Sequence, residues 1–198
     1  MGKPCMRKRI ASLTSNVLHP VLLILALILL LSSTAASGML DAVKWTVIAI
    51  AISVLPVLLV VIYRVRSGKL DAIFTNDRQQ RTKTYLLTGL CSIASCLVLA
   101  SLGAPSMLVT AYTAGVVLVV IFMFINLWWK ISLHTALISA AVTVMIMLYG
   151  GMATVTVVLV PLTAWSRIEL KYHSLAQAVT GALLAALIVV TTFSLVLV

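Results

Sequence analysis

Residues 106–129 read SMLVTAYTAGVVLVVIFMFINLWW, a stretch without a charged side chain. A helix needs about 20 apolar residues to cross the hydrocarbon of a bilayer, so this stretch is long enough to span it. Of all 198 residues, 63% are hydrophobic and 9% are charged, and the mean hydropathy is +1.21. A soluble domain needs far more surface charge, which excludes that class. We therefore expect an integral, multi-pass membrane protein with an all-α fold, because a helix satisfies its own backbone hydrogen bonds.

Hydropathy predicts a transmembrane helix bundle of six to seven spans, and seven is preferred. We expect one domain over 1–198, with a basic N-terminal tail at 1–19 and a motif-bearing core at about 75–185. Pro56 and Pro161 fall inside spans, where each would bend the helix and free a carbonyl. The sixth span would reach only about 21 Å as an α-helix at 1.5 Å per residue. The predicted spans are 20–37, 45–64, 85–102, 106–129, 133–149, 152–165 and 174–198.

The cations lie in the gaps between the apolar stretches. The formal net charge is +10, and this distribution favours anionic lipid headgroups and a phosphorylated membrane lipid as partners, and not nucleic acid. With seven spans, one face carries the N-terminal tail, the 64–83 loop, Lys130, Arg167 and Lys171. The positive-inside rule predicts that this face is cytoplasmic. The three cysteines form no CxxC pair or Cys/His ligand set, so we expect no metal, no cofactor and no disulfide framework.

One polar string, Lys130-Ile-Ser-Leu-His134, stands at the start of a predicted span. Ser132 is a good N-cap residue, and the amides that follow it would point out of a helix N-terminus, which is a ready anion site. Lys130 would add a point charge and His134 a titratable proton. The alternative is an interfacial cap with a lysine whose head reaches the water.

A second string contains Ser166, Arg167, His173 and Gln177. Arg167 offers a planar fork suited to phosphate oxygens, and His173 can act as a nucleophile or a base. Gln177 follows His173 by four residues, so its amide oxygen can accept from the imidazole and fix the tautomer. Alternatively, Ser174-Leu-Ala-Gln177 fits a capping box, in which Gln bonds back to the amide of the cap residue. The two roles are compatible.

A third string runs from Asn76 to Lys83. If this string is helical, Arg78 and Arg81 share one face. The alternative is an ordinary basic loop attracted to anionic lipid. Two predicted spans separate this string from Lys130, and two more separate His134 from Ser166, so all three strings are expected at the same membrane face.

Taken in their order along the chain, the three strings resemble the motifs of the type 2 phosphatidic acid phosphatase family, within the acid phosphatase and vanadium haloperoxidase superfamily. The family's third motif is matched in spacing by Ser166, Arg167, His173 and Gln177, with Gln in place of Asp. Its second motif, Pro-Ser-Gly-His, is matched by Ser132 and His134. Its first motif keeps only Arg81, because Phe74 and Thr82 replace its lysine and proline. The likeness is greatest to a divergent membrane branch similar to dolichyl- and polyprenyl-diphosphate phosphatases.

The resemblance implies a metal-free lipid phosphatase that works through a phosphohistidine. His173 would be the nucleophile, His134 the proton donor, and Gln177 the residue that orients His173. The phosphate oxygens would be held by Arg167, Arg81, Lys130, Ser132 and Ser166, with Arg78 as a substitute cation. Alternatives are a lipid phosphotransferase on the same scaffold and a non-catalytic protein that binds or transports lipid phosphates. The lipid tail and the oligomeric state stay open.

Overall fold

The computed structural model describes residues 6–68 and 78–197, with only the backbone at 78–80 and 197. Within these ranges all regular structure is helical, and there is no strand. The α-helices are α1 (Met6–Val17), α2 (Pro20–Ala35), α3 (Met39–Ala49), α4 (Leu55–Arg66), α5 (Arg78–Ser101), α6 (Ser106–Asn126), α7 (Leu133–Tyr149), α8 (Leu159–Glu169) and α9 (Leu175–Leu197). A π-helix (Ile50–Val54) joins α3 to α4, and a 3₁₀-helix (Gly150–Val158) joins α7 to α8.

Among the described residues, six helical runs are long and apolar enough to cross a membrane. The prediction of an all-α, multi-pass membrane protein is therefore confirmed. The segment expected as a basic tail contains α1, which precedes α2 within the first of these runs. The six runs are Met6–Ala35, Met39–Arg66, Arg81–Ser101, Ser106–Asn126, Leu133–Glu169 and Leu175–Val196.

The run Leu133–Glu169 folds back on itself. Gly150 has a φ of +62°, a conformation that glycine adopts without cost, and α7 packs against both the 3₁₀-helix and α8. A straight run would keep α7 and α8 apart, so this contact requires a reversal. The run covers the residues of both spans that the sequence places there, and the preference for seven separate spans stays a prediction. A 3₁₀-helix rises about 2.0 Å per residue, so Gly150–Glu169 reaches about 35 Å, and the expected shortness of the sixth span disappears.

The helices form two compact units. The first unit comprises Met1–Ile24 and Lys130–Thr191, and the second comprises Leu25–Trp129 and Thr192–Val198. In the first unit α1 packs on α8. Helix α9 lies against the start of α7, where a Cβ on Gly181 would come within 2.8 Å of the Ser132 carbonyl oxygen. The hydroxyl of Ser139 donates to the Ala182 carbonyl at 2.8 Å, which ties the same two helices together further along. Small residues permit this close approach.

In the second unit, Pro56 explains the π-helix. Proline has no amide hydrogen, so the Ile52 carbonyl four residues earlier loses its helical partner. The Ser95 hydroxyl donates to that carbonyl at 3.1 Å. The Tyr112 hydroxyl donates to the Ala49 carbonyl at 3.2 Å and lies 2.7 Å from Ser53 Oγ. The carbonyl that Pro56 is predicted to free therefore accepts from a side chain of α5.

Candidate functional site

Ser132 caps α7, as the sequence predicts. Its backbone is extended, and its Oγ accepts from the Thr135 amide at 3.5 Å. The Thr135 hydroxyl donates back to the Ser132 carbonyl at 3.1 Å, and the Ser132 amide donates to the Gln177 carbonyl at 3.3 Å. The cap therefore uses the Thr135 amide, which was expected to face an anion. The cap also fixes His134 in the first turn of α7, where its ring is buried.

At the C-terminal end of α8 the chain reverses in a Schellman turn. The Tyr172 amide donates to the Arg167 carbonyl at 3.0 Å, and the Lys171 amide donates to the Ile168 carbonyl at 2.9 Å. Lys171 occupies the left-handed position with a φ of +58°. The His173 amide also donates to the Arg167 carbonyl, at 3.3 Å. The five-residue spacing between Arg167 and His173 is thus the length of one helix end plus its reversal, and it brings His173 back beside Arg167.

His173 and Gln177 form a hydrogen-bonded pair in which both predicted roles of Gln177 are confirmed. Gln177 Oε1 lies 3.1 Å from His173 Nδ1 and accepts from the Ser174 amide at 3.1 Å. The Gln177 amide donates to Ser174 Oγ at 3.3 Å, which completes the capping box of α9. Because Oε1 is an acceptor, the neutral ring carries its proton on Nδ1 and leaves the lone pair on Nε2. That is the tautomer that a nucleophilic histidine requires.

Arg167 is held by neutral groups. Its Nη1 donates to Ser15 Oγ of α1 at 2.8 Å, and its guanidinium stacks on the Tyr172 ring at 4.4 Å from the centroid. Its Nε is buried and meets no acceptor among the described residues. A buried N–H of a charged group without an acceptor is costly, so this N–H could donate to one further acceptor.

His134 lies near one arginine and two other histidines. It interacts electrostatically with Arg167, His173 and His19. The His19 ring lies edge-on to the His134 ring, with centroids 6.0 Å apart. The structure therefore places Arg167 and His173 near His134, and Gln177 beside His173. The catalytic roles of these residues stay predictions. The first unit also supplies His19 and Ser15, which the sequence analysis did not select.

His19 sits at the junction of α1 and α2. Its Nδ1 accepts from the Val21 amide at 3.3 Å, so the neutral ring carries its proton on Nε2. One sequence signal points to this residue: an ionisable side chain precedes Pro20, and proline is favoured at the first position of a helix. His19-Pro20 thus marks a helix start at the edge of an apolar stretch, as Ser132 does.

The first unit has an excess of positive charge near this site. Its sequence contains one acidic residue, Glu169, and that carboxylate lies 2.9 Å from Arg7 Nε. Within the part of the chain that the structure describes, the partners of the Arg167 guanidinium are therefore a hydroxyl and an aromatic ring. In a medium of low dielectric constant a cation without a counter-ion attracts an anion strongly.

The remaining predicted residues are placed differently. The Ser166 hydroxyl is buried and donates to the Thr163 carbonyl at 3.0 Å, so it bonds within its own helix. Lys130 is half-buried in the connection before the Ser132 cap. In the second unit Arg81 is buried and donates to the Tyr85 hydroxyl at 3.1 Å. Phe74 and the side chain of Arg78 lie outside the described residues. Phosphate binding by Ser132, Ser166, Lys130, Arg81 and Arg78 stays a prediction.

Over residues 6–68 and 78–197, His, Cys, Asp and Glu side chains form no group of three that could hold a metal ion. The fold and the site together define a multi-pass membrane protein with a cationic, histidine-containing cluster in its first unit. Comparisons with protein-family models, with curated proteins and with solved structures find no match to this chain.

Proposed function

We propose that the protein is a metal-independent membrane phosphatase that hydrolyses a lipid phosphate or diphosphate through a phosphohistidine. The observation that carries the proposal is the His173–Gln177 pair beside Arg167. The amide of Gln177 fixes the lone pair of the histidine on Nε2, and the neighbouring guanidinium has no carboxylate partner among the described residues. The motif spacing of the type 2 phosphatidic acid phosphatase family supports the same assignment. The substrate is an isoprenoid or glycerolipid phosphate.

In the first step, Nε2 of His173 attacks the terminal phosphorus as the bond from that phosphorus to the leaving oxygen breaks. The leaving oxygen is the lipid oxygen of a monophosphate or the bridging oxygen of a diphosphate. His134, as the imidazolium, gives its proton to that oxygen. In the second step, water attacks phosphorus and gives its proton to His134, and the N–P bond breaks to release phosphate. The proton balance closes over the two steps, and each transfer requires only a residue already at the site.

Arg167 has the electrostatic role. Negative charge spreads over the equatorial oxygens of the phosphoryl group in the transition state, and a planar guanidinium can contact two of these oxygens. Its neutral partners leave its full charge for the substrate. A phosphate anion also removes the repulsion between Arg167 and a protonated His134, so binding of substrate favours the proton donor.

The test is phosphate release by the full chain in detergent with a chelator present. The substrates are a prenyl diphosphate and phosphatidic acid, and the variants are His173→Ala, His134→Ala and Arg167→Ala. Lys44→Ala is the matched control for loss of a cation, because Lys44 is an exposed residue of α3 with its nearest carboxylate 3.7 Å away. We expect His173→Ala to abolish phosphate release and Lys44→Ala to leave it unchanged.

Rapid acid quench with labelled substrate adds a second readout. A phosphohistidine is labile in acid and stable in base, so the quench is neutralised at once and the label is sought on residue 173. Label on another residue, or phosphate release that persists in His173→Ala, contradicts the nucleophile assignment. Phosphate binding without turnover of any lipid favours the binding protein, and transfer of label to an added lipid alcohol favours the phosphotransferase.

A further inference from the structure

Helix α1 contributes to the site from outside the motif-bearing part of the chain. Its buried residues, Ala11 and Ser15, lie on the side that packs on α8. An ion pair between Arg7 and Glu169 ties the beginning of α1 to the last residue of α8. The hydrogen bond from Arg167 to Ser15 ties a second point, near the end of α1. Two fixed points hold this helix against the end of α8.

The chemistry of the residue at position 15 matters because it accepts from Arg167. An arginine fork in an apolar setting is usually matched by a carboxylate, which neutralises it. Here the acceptor is a hydroxyl, which accepts from one N–H of the guanidinium and does not neutralise its positive charge. The carboxylate nearest in sequence, Glu169, is engaged by Arg7. Ser15 therefore holds the Arg167 guanidinium in place without neutralising its charge.

We propose that Ser15 is a positioning residue that holds Arg167 through a neutral acceptor, so that the guanidinium keeps its charge for a phosphate anion. The inference rests on the proposed function, because it assigns Arg167 to phosphate. It adds a residue 152 positions before Arg167 in the chain, and it gives α1 a role in the site. Ser15 acts through Arg167 and does not itself touch the reacting atoms.

Two substitutions of equal size at position 15 distinguish an effect of charge from an effect of packing. Ser15→Asn keeps a neutral acceptor, whereas Ser15→Asp places a carboxylate beside the guanidinium. Both enlarge the same buried position by the same amount, so a purely structural role predicts equal effects. The electrostatic role predicts that Ser15→Asn binds inorganic phosphate within about threefold of the native chain, and that Ser15→Asp binds it at least about tenfold more weakly.

The measurement is calorimetric titration of the full chain in detergent with inorganic phosphate, on samples matched for thermal unfolding temperature. If the Asp variant does not fold, Ser15→Ala and Ser15→Thr replace the pair. Loss of the acceptor should then weaken phosphate binding about threefold to tenfold, and the threonine hydroxyl should restore it.

Equal affinities for the Asn and Asp variants, whether native or reduced, overturn the inference. In the second pair, an alanine variant with native affinity does the same. Phosphate binding by the native chain without phosphatase activity removes the proposed function and leaves the role of Ser15 to be decided by the same comparison. Absence of phosphate binding by the native chain removes both.

Discussion

Replacement of Gln177 by Glu tests the chemistry of the site most directly. Gln177 Oε1 accepts from both His173 Nδ1 and the Ser174 amide. Glutamate has the same length and can make both bonds, so the ring orientation and the cap should survive. The difference is the charge. As Nε2 forms a bond to phosphorus, the imidazole becomes positive, and a carboxylate stabilises that charge better than an amide does.

The size of the effect follows from the hydrogen bond. A neutral hydrogen bond contributes about 1 kcal/mol, and a charge-assisted one about twice as much. An additional stabilisation of about 1 kcal/mol in the transition state corresponds to an increase of about fivefold in rate, since 1.36 kcal/mol is tenfold. We expect Gln177→Glu to form the phosphohistidine about five times faster at saturating substrate. Gln177→Met, which has no comparable acceptor, should form it more slowly than the native chain.

The assay is rapid quench with labelled lipid phosphate at saturating concentration. Saturation separates the chemical step from any weaker binding that the new negative charge causes. Thermal unfolding of both variants checks that the cap of α9 is intact. A Gln177→Glu rate equal to or below the native rate, with the unfolding temperature preserved, would refute the reasoning, because His173 would then gain no positive charge in the rate-limiting chemistry.

Three further substitutions test the surrounding structure. Gly181→Ala would place a Cβ 2.8 Å from the Ser132 carbonyl oxygen, so we expect a loss of about 1–3 kcal/mol in the free energy of unfolding. The control is Gly115→Ala, whose Cβ meets nothing within 4 Å and which should be neutral or stabilising. Equal unfolding temperatures for the two variants would show that α9 does not approach α7 closely. Lys171→Gly relieves a left-handed backbone and should raise the free energy of unfolding by about 1 kcal/mol, a result that an unchanged denaturation midpoint contradicts. Arg167→Lys keeps the charge but loses the fork, and should weaken phosphate binding about tenfold by calorimetry; native affinity in this variant would mean that a point charge is sufficient.

Much of the fold can be predicted from the local sequence. Uncharged stretches such as 106–129 predict membrane spans because transfer of apolar side chains into hydrocarbon is favourable wherever the stretch lies in the chain. Local chemistry also predicts the cap at Ser132 and the carbonyl freed by Pro56, since each depends on residues within one helical turn. The 3₁₀-helix at Gly150–Val158 is different. Its apolar residues suit several helical forms, and packing against α7 selects the longer one.

Some contacts of the site can likewise be predicted from the local sequence, and others depend on the tertiary structure. The sequence alone predicts that His173 and Gln177 can pair, because the capping box at Ser174 places Gln177 in the first turn of the helix that directly follows His173. The turn that brings His173 back to the Arg167 carbonyl is seen only in the structure. Only the tertiary structure brings α1 to α8. This packing lets Arg167 donate to Ser15 and pairs Glu169 with Arg7. The His19 ring also lies edge-on to the His134 ring. These contacts join residues far apart in the chain, and no local pattern encodes them. The physical reason is that burial of α1 against α8 depends on the shape of two helices at once, and the charge available at Arg167 is a consequence of that packing.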